Sequence, residues 1–367
     1  MRARALQVKE FSRRLQKQRE LTYSILDFVS FRVINTQSFL SNLLEDVGVE
    51  YENMRKRISD KECDFLVYIG NFQPNLEDCY IMEDRYFLRR DYFFCRNEAY
   101  KLARWNVEIS SFDGLTPIVL RIETNPFGSM FITSLINYLV SFELNENGCS
   151  LVHASAICKE EGEDGYIFAS VSGGGKTLLA LNFVEEGFKL LGDNFVNVRN
   201  GEIFGFHTPL NIFTYNLSSL IRKKIKKRSL VPKYLIYRLT GGYWKPFIKL
   251  NFRKLFPKLS ANKSKISKAF LLVRGQKFKI RNITETEFVD RLLIAQQIEF
   301  NVPSRYISAH SIFFPQSKLA FFWEKFKKNL LENFGNCTFH EITIPNHYIR
   351  DEFQIVQRRL VESGLLE

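Results

Sequence analysis

The chain has 367 residues, of which 45% are apolar and 25% charged, a globular composition able to bury a core. Its six cysteines show no C-x-x-C spacing and none sits beside a histidine in a zinc-like pattern, so they read as reduced thiols. The formal net charge is +12, and the 35 phenylalanines predict an aromatic-packed core.

From the N-terminus, MRARALQVKEFSRRLQKQRE is basic but has no apolar run behind it, so no signal peptide is expected. Residues 1–60 have few glycines or prolines. Apolar positions such as Leu21, Ile25, Phe28, Val29, Phe39, Leu43 and Leu44 predict helix there. From about 64 to 123 come short β-rich runs separated by turn residues, among them DFLVYIG, YFFCR, WNVEIS and PIVLRIE. A helix is predicted over 129–143. Its apolar run, Met130 to Phe142, is too short to span a bilayer, and the uncharged stretch 203–221 is broken by His207 and Pro209. The expectation is a soluble, cytoplasmic protein with no membrane partner, whose residues 1–147 form a mixed α+β accessory domain.

SLVHASAIC and YIFASV then read as strands, the second running directly into SGGGKT. LLALNFVEEGF reads as a helix and KLLGDNFVNV as one further strand. Glycines between a strand and an apolar helix are the context of a βαβ phosphate site, which favours an α/β core, mixed or parallel. Beyond a basic stretch, KAFLLVRG, FKIRNIT and HEITIP read as strands. Helices are predicted at 285–298, 318–334 and 350–363. The nucleotide-binding domain is expected over 148–345, with an insertion at about 213–262 and a C-terminal helix in 346–367.

The chemistry lies in Ser170-Val-Ser-Gly-Gly-Gly-Lys-Thr177. A loop that wraps phosphates needs inward-pointing N–H groups and residues without an obstructing Cβ. Gly173, Gly174 and Gly175 supply these, with Ser172 beside them as a further cofactor-binding position, and the helix beginning at Lys176 adds its N-terminal dipole. Lys176 can reach the β- and γ-phosphates, and Thr177 can place its hydroxyl on Mg²⁺. Asp193 follows the next strand, where a carboxylate can hold the same ion; in isolation it could equally be a turn residue. His153 lies in the preceding apolar strand, where a lone histidine is ordinarily a hydrogen-bonded core residue.

These residues resemble a known family. His153-Ala-Ser-Ala, the SGGGKT loop, EEGFKLLGDN (Glu185–Asn194) and GFHTPL (Gly205–Leu210) are similar to the HPr kinase/phosphatase family and its divergent kinase-like relatives. The resemblance is good over 148–212, weaker over 266–345 and absent over 1–60 and 213–262. It implies a P-loop core related to the phosphoenolpyruvate carboxykinases, using ATP and Mg²⁺ to phosphorylate a hydroxyl, commonly a serine of a protein or peptide. By position it implies that Lys176 contacts phosphates, that Thr177 and Asp193 hold Mg²⁺, that His153 lies near the phosphates, and that Asp193, His153 and Lys176 are the catalytic residues. Two departures stand out. Ser170 replaces the first loop glycine, and Asn194 replaces the second acid of an Asp-Asp pair, which as an amide cannot accept a proton as a carboxylate does.

Between Glu202 and Glu285 there is no acidic residue, yet 20 of the 52 lysines and arginines fall there, densest at RKKIKKR (222–228). The remainder carries 32 basic and 40 acidic residues, a net of −8. Aromatics are interleaved in this segment: Tyr234, Tyr237, Tyr243, Trp244, Phe247, Phe252 and Phe256. Such cations must be solvated or face something negative, whether an acidic protein or peptide substrate or RNA. The leading expectation is a kinase acting on a hydroxyl, as a monomer or homo-oligomer. The alternative is a nucleotide-binding regulator or nucleic-acid binder with little or no phosphotransfer. A carboxykinase acting on a small acid ranks last.

Overall fold

The computed structural model describes residues 20–36, 41–56, 63–113, 117–213, 219–222, 224, 227–241, 246–345 and 350–366. The basic stretch 1–19, most of RKKIKKR, and Tyr243 and Trp244 lie outside the residues whose side chains are described. The chain divides into two units. One runs to Gly148 and regains Phe300–Phe326; the other comprises Cys149–Glu299 and Lys327–Glu367.

In the first unit the strands are β1 (Glu20–Ile25), β2 (Val29–Asn35), β3 (Phe65–Ile69), β4 (Tyr80–Met82), β5 (Tyr86–Arg89), β6 (Tyr92–Tyr100), β7 (Ala103–Ser110) and β8 (Ile118–Thr124), with helices α1 (Ser41–Glu50) and α2 (Ser129–Glu146). They form one sheet in the order β1-β2-β3-β8-β7-β6-β5-β4. Its β2–β3 and β3–β8 pairs are parallel and the rest antiparallel.

The expectation of helix over 1–60 is met at α1 and corrected at residues 20–35, while residues 1–19, 37–40 and 57–60 lie outside those described. Residues 20–35 are a hairpin, with Ile25 opposite Val29 and both Leu26 and Asp27 in the left-handed region that tight hairpin turns use. Leu21, Tyr23 and Ile25 are buried in alternation, the period-2 signature of a half-buried strand. The i, i+4 spacing of Leu21 and Ile25 satisfies both periods. The β-branched and aromatic side chains of Thr22, Tyr23, Val29, Phe31 and Val33 decide for strand. Phe31 and Phe65 stack at 4.7 Å between ring centres, part of the aromatic core expected from composition.

Among the described residues one helical stretch, Pro126–Glu146, is long and apolar enough to cross a membrane by length and composition. It is longer than the apolar run alone. Most of it is buried, and Tyr51 Oη on α1's flank donates to Asn137 on α2 at 2.7 Å, as in a core helix of an α/β protein.

The second unit carries β9 (Ser150–Val152), β10 (Ala154–Cys158), β11 (Asp164–Ala169), α3 (Lys176–Glu185), β12 (Lys189–Gly192), β13 (Val196–Arg199), β14 (Glu202–Phe204), β15 (Leu210–Ile212), α4 (Lys227–Leu239), β16 (Ile248–Leu250), β17 (Lys263–Gly275), β18 (Lys279–Asn282) and α5 (Glu285–Glu299). After α6 (Asn301–Phe313) of the first unit and α7 (Phe322–Phe334), which crosses the division, come β19 (Thr338–Pro345) and α8 (Arg350–Glu362). Helix α6 has no counterpart in the sequence reading. Pro303 looks like a breaker there but occupies the first turn, where its missing N–H costs nothing.

The sheet is mixed. β17 is its spine, parallel to β11 on one side and to β19 on the other, with β14 antiparallel at its start. β10 lies between β11 and β12, antiparallel to both, so β11–α3–β12 is a crossover with a strand inserted between its arms. The single predicted strand KLLGDNFVNV is two strands. Asn194 takes φ 70° between them, sending β12 to β10 and β13 to β9 and β14. β9 and β10 are one stretch of chain interrupted only at His153, where the pairing partner changes.

Candidate functional site

β11 ends at Ala169 and α3 begins at Lys176, so the intervening residues must turn sharply. Gly173 and Gly175 adopt φ 82° and 101°, conformations that side chains with a Cβ rarely take. A Cβ on Gly174 would collide with the Ser170 side chain, and one on Gly175 with the Phe353 ring of α8. The first-position departure is thereby accounted for. Ser170 is buried, its Oγ donates to Val171 O at 2.9 Å, and Gly174 gives it room.

Lys176 is also buried. Its Nζ donates to Ser170 O at 2.8 Å and lies 3.4 Å from Val171 O, so the side chain curls back along the loop that precedes it. Burial lowers its pKa to about 8, against the opposing pull of Asp193 and Glu299. Thr177 Oγ1 is 2.9 Å from each carboxylate oxygen of Asp193, and Ser155 Oγ also donates to Asp193 Oδ1. Burial raises the Asp193 pKa, while the Ser155 and Thr177 hydroxyls and the Lys176 charge hold it down. Two hydroxyls and an ammonium around a carboxylate 2% exposed are a costly arrangement for a mere turn residue.

His153 is 3% exposed, and its backbone N–H donates to Gln296 Oε1 at 2.8 Å. Its Nδ1 is 3.4 Å from Glu299 Oε2 without hydrogen-bond geometry. Burial, aided by the Lys176 charge, drives its pKa well below the ordinary histidine value, so the ring is neutral and this contact is not an ion pair. His310 in the first unit contrasts with it: its Nε2 is 2.9 Å from Arg89 O and its Nδ1 3.2 Å from Ser317 Oγ, a fully occupied core histidine.

Glu299 has no counterpart in the sequence reading. It ends α5, and its Oε2 accepts from Ser172 Oγ at 2.8 Å. No local pattern marks it, because 127 residues separate it from Ser172. A cavity of about 370 Å³ is lined by His153, Ser172, Gly173, Gly175, Lys176 and Thr177 together with Asn194, Asn211, Phe213, Arg274, Glu299 and Phe353. The structure thus brings His153, the glycine loop, Lys176 and Thr177 to one cavity, with Asp193 hydrogen-bonded to Thr177 beside it. Arg274 lies at the end of β17, with Nη1 donating to Pro345 O at 3.0 Å and its guanidinium 4.9 Å over the Phe353 ring.

The donor set fits a phosphate chain with a small hard cation. Three consecutive glycines leave the loop backbone without Cβ atoms from Gly173 to Gly175, as such a ligand requires. Among the described residues no three His, Cys, Asp or Glu side chains converge as a metal cage. One hydroxyl and one carboxylate are what Mg²⁺ takes from a protein when phosphates and water complete its shell.

No protein-family profile matches the chain, and no curated protein is similar to it at a significant level. Among solved structures, the HPr(Ser) kinase/phosphatase from Coxiella burnetii is similar at 12% identity, covering 59% of this chain and 94% of that one, with a TM-score of 0.26. Such a score indicates a distant relationship at most and carries no argument about chemistry.

Proposed function

We propose that the chain is an ATP- and Mg²⁺-dependent kinase with an HPr-kinase-like P-loop core, transferring the γ-phosphoryl group to a hydroxyl, that of a serine in a protein or peptide. The observation that carries this reading is the joint placement of Lys176 and Thr177 at the start of α3, directly after the glycine loop, with Asp193 at the end of β12 hydrogen-bonded to Thr177 beside one cavity. Phosphoryl transfer asks a protein chiefly for positioning and charge neutralisation, and these residues offer both.

In this reading the N–H groups of Gly173–Thr177 and the Lys176 ammonium hold the triphosphate. Thr177 and Asp193 are the residues that would hold Mg²⁺, which when bound spreads the charge of the phosphate oxygens. Asn194 leaves the proton acceptor to another group, and Glu299 is the carboxylate exposed to the cavity. The acceptor hydroxyl gives its proton to Glu299 as its oxygen bonds to the γ-phosphorus. The bond from γ-phosphorus to the bridging oxygen breaks, and its electron pair leaves with ADP. The Ser172 hydroxyl keeps the Glu299 side chain at the cavity.

The test is incubation of the full chain with γ-labelled ATP and lysate fractions, before and after nuclease treatment. Label is expected in a protein or peptide fraction, insensitive to nuclease and lost with Lys176→Ala. Undiminished labelling by that variant sinks the assignment. Asn194 motivates a second reading, a nucleotide-binding regulator. Tight ATP binding with no transfer to any protein, peptide, RNA or small hydroxyl compound is the outcome that favours it.

A further inference from the structure

The insertion between β15 and β16 has a face that the nucleotide chemistry does not use. Its helix α4 leaves Val231, Leu235 and Leu239 exposed at 64%, 58% and 77%. Spaced i, i+4, i+8, they form one line along the helix, flanked by exposed Tyr234 and Ile236. A thirteen-residue helix with such a stripe in water is unfavourable on its own, since each large apolar side chain left exposed forgoes about 1.5–3 kcal/mol of burial. The helix is nevertheless tied down on its other side. Lys233 Nζ donates to Phe247 O at 2.6 Å, just before β16.

That anchor leads to the cavity. Phe247 packs against Phe213 at 5.6 Å between ring centres. β16 pairs with β15, placing Lys249 opposite Asn211, and Asn211 and Phe213 both line the cavity. The helix that bears the stripe is therefore anchored to strands that line the cavity.

The charge pattern identifies the class of occupant. The segment 203–284 has 20 cations and no anion. A second copy of the same helix would bring like charges together, which argues against self-association through this face. The stripe itself is aliphatic, and the flanking Tyr234 ring already has the Arg238 guanidinium 5.8 Å from it, which disfavours stacking of bases. Arg238 follows Tyr234 by four residues and Val231 by seven, so it interrupts the same face. In a bilayer that cation would meet acyl chains, whereas a polypeptide can set a carboxylate against it.

We propose that α4 and its basic surroundings dock an acidic polypeptide segment bearing apolar side chains at helical spacing, presenting a nearby hydroxyl to the cavity. The presenting role rests on the kinase reading above; the docking does not. The mode is helix-in-groove recognition, with apolar anchors supplying affinity and charges supplying orientation.

The test is selection of a displayed random-peptide library against the full-length protein without nucleotide. The enriched peptides are expected to be acidic, with apolar residues three or four apart. A synthetic peptide from that pool should lose about tenfold or more in affinity, by fluorescence anisotropy, against V231S/L235S/L239S and separately against R238E. All four positions are solvent-exposed, and unchanged thermal midpoints check that the variants fold. Equal binding to these variants, or enrichment without acidic bias, overturns the proposal. So does the case in which these variants lose binding to phosphatidylserine vesicles or single-stranded RNA and no acidic peptide is selected. Lys176→Ala should bind the peptide normally. Peptide binding without label transfer to any serine-bearing member of the pool would sink the kinase reading and leave the docking face standing.

Discussion

Lys176 sits at the centre of the electrostatics. Below its pKa of about 8 it is charged; above it the cavity loses the ammonium that a triphosphate would meet. Nucleotide affinity, measured with a fluorescent ATP analogue, is expected to weaken as pH rises from 7 to 9. Lys176→Arg should flatten that profile, because guanidinium stays charged throughout. A slope that persists in the arginine variant assigns the titration elsewhere. The histidines act on stability instead. His153 is held well below 6.5 and His207 at about 4, both mainly by burial, with the Lys176 and Arg253 charges adding respectively. Their folded pKa values are depressed, so the unfolded chain binds more protons below 6.5. Their burial carries no protonation penalty above that value, and stability falls as pH drops toward each folded pKa. Thermal midpoints should therefore decline between pH 6.5 and about 4, more shallowly in H207Q. A parallel decline in that variant removes His207 from the account. At this scale the loop residues were visible in the sequence as contiguous glycines between a strand and an apolar helix. Glu299 was not, because its role depends on α5 bringing it to Ser172 from far along the chain.

Elements carry the next level of constraint. The C-terminal helix α8 reads from sequence as a segment separate from the nucleotide-binding domain, yet Phe353 lies fully buried against the glycine loop. Gln357 Nε2 donates to Asn182 O on α3 at 3.2 Å, and Val356 and Leu360 join the same apolar cluster. Phe353→Ala is expected to destabilise the unit by about 3–5 kcal/mol in denaturant titration. It should weaken nucleotide binding beyond what the fraction unfolded explains, since the loop loses the ring on which Gly175 rests. A variant with normal affinity per folded molecule would mean that the loop holds its shape without α8. Gly175→Ala should show the converse, a local collision plus a left-handed φ of 101°, with a larger loss of binding than of stability. Strand and helix types were mostly legible where one period dominated, as in β8, whose residues alternate between buried and half-buried. They were misread where short spacing satisfied both periods, as at Leu21 and Ile25. They were also misread where one turn residue, Asn194, split an apolar run between two places in the sheet.

At the scale of the whole molecule the informative quantity is the separation of charge. One segment of 203–284 holds 20 cations without an anion, while the remaining residues sum to −8. Part of the segment's charge is used internally where it forms sheet and its neighbours. Lys263 pairs with Glu202 at 2.8 Å, and Arg281 bridges Glu287 and Glu341 at 2.6 and 2.9 Å. Those ion pairs lie outside 213–262, the insertion, whose own sequence contains no anion. The cationic excess is thus concentrated where the apolar stripe of α4 is exposed, which neither composition nor net charge alone would reveal. Two binding events should then respond differently to salt. Surface charges are screened over about 10 Å at 0.1 M and about 3 Å at 1 M salt. Association of an acidic peptide with the insertion should weaken steeply with ionic strength, mainly through a slower on-rate. Nucleotide held by the buried Lys176 and the loop N–H groups should weaken less, because enclosed charges are screened less. Titrations of both ligands at low and high sodium chloride distinguish the cases. Equal salt slopes would mean that the peptide meets the protein at the nucleotide cavity itself and not on the cationic insertion.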